Sequence, residues 1–69
     1  MLKNFPQTKN RLREVRFLKR LRQIDVQQMS GIGVSRISVI ETEDAEPREH
    51  EKVKIAQALK MKVEEIFPT

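Results

Sequence analysis

Along this chain apolar side chains recur every three to four residues, the spacing of one face of an α-helix, and no valine-rich alternating run argues for a sheet. The pattern predicts five helices. The first covers about residues 9–21, where Leu12, Val15, Leu18 and Leu21 return every third position and Thr8 or Asn10 serves as the cap. The second covers residues 23–30, with Val26 and Met29 on one side, and Ser30, Gly31, Ile32 and Gly33 then break the period. Two glycines within three residues mark a tight turn.

A third helix is predicted from Val34 to about Thr42, with Ile37 and Ile40 facing inward and Val34, Ser35, Ser38 and Val39 facing out. The loop of Glu43, Asp44, Ala45, Glu46 and Pro47 ends it, because proline disfavours helix at the residue before it. A fourth helix follows over residues 49–59, with Val53, Ile55, Ala56 and Leu59 as its inner stripe. The last is a short helix over residues 63–67 that carries Val63, Ile66 and Phe67. Short connections between five helices allow them to enclose one small core. The chain therefore divides into an N-terminal arm, residues 1–8, and one all-α domain, residues 9–69.

Composition narrows the reading. A domain of 69 residues buries only about 60% of the surface its unfolded chain exposes, so its stability is marginal. Without cysteine it has neither a disulfide framework nor a thiolate metal site, and its single histidine, His50, has no neighbours suited to a ligand set. His50 reads as a solvated residue of the fourth helix, Glu64 and Glu65 as first-turn acids favoured by the helix dipole, and Met29 and Met61 as core or interface filler. No cofactor, metal or catalytic constellation emerges, which argues against an enzyme. With no apolar stretch of about 20 residues and no signal-peptide core, a soluble, cytoplasmic protein is expected.

The net charge is +4, and its distribution is uneven. Residues 1–22 hold eight basic side chains against one acid, whereas residues 23–69 hold six against nine. A basic half of this kind suits a polyanion, although a charge run alone fits a solvated helix face equally well.

Two short helices joined by a glycine turn, the second with an apolar inner face and small polar outer residues, form the helix-turn-helix pattern. From Gln23 through Gly31 to Glu41 the chain resembles the helix-turn-helix of Cro/CI-type (XRE) regulators. Lys54, Ile55, Ala56, Gln57, Ala58 and Leu59, followed by Val63, Glu64, Glu65, Ile66 and Phe67, resemble the last two helices of that family. The resemblance runs from about Leu12 to Phe67. It implies a compact five-helix bundle with a lambda-repressor-like DNA-binding domain, and a regulator of transcription, expected to be a repressor.

Position by position, the resemblance implies that Gly33, Val34, Ser35, Ser38 and Val39 face base edges. Gln23, Arg36, Thr42 and Arg48 fall near the phosphate backbone, and Gln23 also braces the recognition helix. Gly31 is the turn glycine, and Arg16 and Glu41 form a structural salt bridge. Double-stranded DNA is the implied partner, bound by a homodimer that meets through the segment from Val63 to Phe67.

There are departures from the family pattern. Gly33 stands where a serine or threonine often caps the recognition helix, Arg22 takes the corresponding cap of the second helix, and Gln27 replaces the usual alanine. The following loop, often Asn-Gly, here carries three acids that repel phosphates. Only Arg36 offers bidentate pairing to guanine, so modest sequence discrimination and a steep salt dependence are expected. Phe17 and Leu18, where the family carries polar residues, either pack under the arm or form a patch for another chain. That patch and the acidic loop motivate the alternative: an antitoxin-like protein-interaction module that binds DNA secondarily.

Overall fold

The computed structural model describes residues 10–68, which form α1 (Leu12–Leu18), α2 (Gln23–Ser30), α3 (Val34–Glu41), α4 (Glu49–Leu59) and α5 (Val63–Ile66). No strand occurs among the described residues. The boundaries of α2 and α4 are those the sequence predicts, and α3 and α5 each stop one residue earlier. The arm and Thr8 lie outside the described residues.

The helix starts share a device. Each of α2, α4 and α5 is preceded by a basic residue whose backbone N–H donates to an acid three positions on: Arg22 to Asp25 Oδ2 at 2.7 Å, Arg48 to Glu51 Oε1 at 2.8 Å, and Lys62 to Glu65 Oε1 at 2.8 Å. This is the returning half of a capping box. A lysine or arginine side chain has no acceptor to supply the other half. Before α1, Asn10 Oδ1 accepts the N–H of Leu12 at 3.1 Å, while Asn10 Nδ2 donates to the carbonyl of Ile40 and its backbone N–H to Glu43 Oε2. Asn10 thus pins the start of α1 to the end of α3.

The helix ends explain why α1 is shorter than predicted. Arg20 takes a left-handed conformation at φ 59°, with its N–H on the carbonyl of Phe17 and that of Leu21 on the carbonyl of Arg16. This is the Schellman arrangement, which usually employs glycine. It recurs after α3 with Glu43 at φ 64° and after α4 with Lys60 at φ 57°. Only α2 ends on a glycine, Gly31 at φ 80°.

The core draws on every helix: Leu12 and Val15 from α1, Val26 from α2, Ile37 and Ile40 from α3, Ile55, Ala56 and Leu59 from α4, Ile66 from α5, with Ile32 from the turn and Phe67 after α5. Leu21, Met61 and Val63 pack against it half-buried. Val53, expected in an inner stripe, is outside at 43% exposed, and of the residues read with alternatives Leu18 is 60% and Met29 49% exposed. At 3.6 residues per turn a three-residue step slips by about 60° each time, so by Leu18 the apolar row of α1 has left the inner face. Arg16, four residues on from Leu12, takes that place and is buried. In α4, Val53 lies nearly opposite Ile55, and the Lys52 side chain, one position back, is the partly covered one, 16% exposed.

Phe67 also differs from expectation. It is 5% exposed and Ile66 is fully buried, so the side chains expected to meet a second copy are consumed by the chain's own core. The outer face of α5 is formed by Glu64 and Glu65, both exposed.

Candidate nucleic-acid interface

Helices α2 and α3 and the turn between them form a helix-turn-helix, and α3 takes the place of the motif's second helix, the one expected at a groove. Its inner side is closed: Ile37 and Ile40 are fully buried and Glu41 is 5% exposed. Its outer side presents Gly33 and Ser35, both exposed, with Val34, Ser38 and Val39 half-buried. The five residues expected at base edges therefore lie at the tip and outer side of a single short helix.

The C-terminal end of α3 is tied down by a buried network. Arg16 donates from Nε to Glu41 Oε2 at 2.7 Å and from Nη2 to Oε1 at 3.1 Å, a two-pronged pair, and its Nη1 donates to the carbonyl of Leu21. Gln23 Nε2 adds a third bond to Glu41, at 3.1 Å to Oε1, so Gln23 braces α3 from the first residue of α2. The Phe17 ring lies 4.9 Å from the Arg16 guanidinium and 5.7 Å from that of Arg13. Among the described residues no buried side-chain nitrogen or oxygen lacks a hydrogen-bond partner.

The N-terminal end is held differently. Gly33 has no side chain to cap α3, and the Gln27 side chain does so from α2: its Oε1 accepts the N–H of Val34 at 2.7 Å. Gln27 in place of alanine thus compensates for Gly33 in place of serine or threonine. Ser30 contributes to the turn, donating from Oγ to the carbonyl of Val26 and accepting the N–H of Ile32.

The residues expected at phosphates divide. Gln23, the first residue of α2, is half-buried with its amide on Glu41, and Arg48, just before α4, is exposed. The Thr42 hydroxyl lies 2.9 Å from Asp44 Oδ2 and 3.2 Å from the carbonyl of Ser38, so the acidic loop already engages it. Arg36 is turned back onto the protein, with Nε on Glu51 Oε2 at 2.8 Å, Nη2 on Glu51 Oε1 at 2.9 Å, and Nη2 also on the carbonyl of Glu46. The Arg36 fork, the backbone N–H of Arg48 and, weakly, His50 hold the Glu51 carboxyl down to about 2 against the opposing effect of burial. Asp25 is likewise lowered, chiefly by its hydrogen bond from Arg22.

Internal pairing also thins the basic half read from the sequence. Arg11 is paired with Glu14, Arg16 with Glu41 and Arg22 with Asp25. Of the basic residues of α1 and its C-terminal turn, Arg13, Lys19 and Arg20 form no ion pair among the described residues.

Sequence reasoning missed Asn10 as the clasp on α3, Gln27 as its cap and Glu51 as the partner of Arg36. One signal was available: a recognition helix opening on glycine leaves its first amides without a side-chain acceptor, and a glutamine stood in the preceding helix where alanine is usual.

A helix facing outward with small side chains, pinned at both ends to a second helix across a glycine turn, defines a helix-turn-helix DNA-binding domain. A helix-turn-helix family model matches residues 12–66, and the chain belongs to that family, that of the Cro/CI-type (XRE) DNA-binding transcription regulators. No curated protein matches the chain. No helix among the described residues is long and apolar enough to cross a membrane.

Proposed function

We propose that the chain binds double-stranded DNA with sequence preference and regulates transcription, repressing it by occupying its site. The observation that supports this most is the contrast across α3, whose inner side is buried and bonded while Gly33, Val34, Ser35, Ser38 and Val39 form its tip and outer side. In this reading those five meet base edges in the major groove, and Gln23 and Arg48 meet phosphates, the Thr42 hydroxyl being held by Asp44. Val34 and Val39 suit thymine methyl groups, and Ser35 and Ser38 donate or accept at several bases. With so few strong readers, phosphate neutralisation provides much of the affinity.

Binding by a homodimer to two half-sites about one helical turn apart fits the fold class. Because Ile66 and Phe67 are buried within the chain, the two copies would meet through other groups. Selection of retained duplexes from a random-sequence pool at moderate salt tests the reading: enrichment of a short inverted repeat supports it, and no enriched sequence overturns it. A second reading, that the chain chiefly holds another protein, draws on the 60% exposure of Leu18. Function retained after V34A would favour that reading.

A further inference from the structure

The charged groups around α3 divide into those that face outward and those spent on holding the helix, and Arg36 belongs with the second. Its position is on the flank of α3, between the outer row of Ser35 and Val39 and the buried Ile37 and Ile40. Three hydrogen bonds bind its guanidinium, two to Glu51 and one to the carbonyl of Glu46. Glu51 is 6% exposed, stands in the first turn of α4 and also accepts the backbone N–H of Arg48. One carboxylate thus closes the start of α4 and fastens the first half of α3. Planar two-toothed pairing adds geometric specificity as well as energy, and lysine cannot reproduce it.

We propose that Arg36 is a positioning residue and not a DNA contact: with Glu51 it forms a clamp that sets the angle of the reading helix, so that Glu51, an acid no DNA touches, controls DNA affinity. This rests on α3 being the helix that meets DNA. If Arg36 instead gave its Nε and Nη2 fork to a phosphate or a base it would have to release Glu51 and strand a buried carboxylate, which is costly.

The two roles give opposite signs. Glu51→Gln removes a negative charge and frees Arg36, so a phosphate-seeking Arg36 would bind DNA as tightly or more tightly. A clamp that is opened binds several-fold more weakly. Arg36→Lys keeps the charge but loses the fork, so the clamp predicts a loss close to that of Arg36→Ala, whereas a phosphate contact predicts near wild-type binding.

The experiment measures binding of wild type, E51Q, R36K and R36A to a fluorescent random-sequence duplex pool across a salt series. Amide exchange at residues 37 and 38 is followed in the free proteins, with the amides of Val15 in α1 and of Lys19 just after it as a folding reference. The clamp predicts weaker binding by all three variants, an unchanged salt slope, and exchange at residues 37 and 38 that speeds up more than at the reference amides. It is overturned if R36A lowers the slope of log affinity against log salt by about 1 while E51Q binds undiminished. Should E51Q expose every amide, R36K carries the comparison. If wild type binds no duplex even at low salt, the DNA reading fails, and the exchange data by themselves decide the clamp, unchanged exchange overturning it.

Discussion

The two ends of α3 are fastened by the same chemistry in different surroundings. At the C-terminal end Arg16 and Glu41 have side chains 9% and 3% exposed, and Gln23 joins them. Towards the N-terminal end the side chain of Arg36 is 32% exposed and that of its partner Glu51 8%, and the cap is a single amide oxygen from Gln27. A charge pair shut away from water is costly to break and tolerates little variation, whereas one open to solvent on one side yields more readily. The rear of α3 is therefore a fixed point, and its front can be adjusted.

The strongest way to break that contrast is at the rear. Arg16→Met leaves Glu41 buried without its guanidinium and is expected to cost about 3–5 kcal/mol, enough to unfold much of a domain this small. Urea denaturation would show it, and a cost below about 1 kcal/mol would place this pair with ordinary surface pairs.

At the front, pH separates the Glu51 contribution. Because its folded-state value is held at about 2, below the ordinary 4.5, the stability it contributes is full above that ordinary value and fades as pH falls towards 2. Melting curves of wild type and E51Q should therefore be farthest apart near neutrality and converge through that interval. A gap that stayed constant down to the lower limit would contradict it.

Gln27→Ala removes the cap on Val34 and is expected to cost about 1 kcal/mol, in the range of a lost helix cap, read by thermal melting. The smallest effect is at Gly33, where a new Cβ would meet no atom within 4 Å and φ is −63°. Gly33→Ser should be neutral or stabilising by a few tenths of a kcal/mol. A large loss there would mean that the front of α3 is as unforgiving as the rear.

Much of the fold was legible because its punctuation is local. Gly31 marks the end of α2, Pro47 sets off the start of α4, and the spacing of Ile37 and Ile40 orients α3. The end of α1 was not, since Arg20 holds a conformation that composition assigns to glycine. Val53 was misplaced, and Leu18 leaves the inner row of α1, for a related reason: apolarity every third residue does not track a period of 3.6 over two turns. In the site, the helix-turn-helix and its outward residues came from pattern and resemblance. The clasps came from neither, because Asn10 reaches Ile40 across 30 residues and Arg36 reaches Glu51 across 15. The charge of a residue is written in the sequence, but the partner that neutralises it is not, and the basic N-terminal half consequently looked more open than it is.

The Gln27 bond to Val34 has a consequence for how such a protein changes over generations. In a helix capped by its own first residue, the tip nearest the bases is bound to serve stability, so a substitution that alters what is read also risks the fold. Here the neighbouring helix has taken over that duty. Position 33 is left free to drift, and the tip of α3 can change its side chain without first passing through an unstable intermediate.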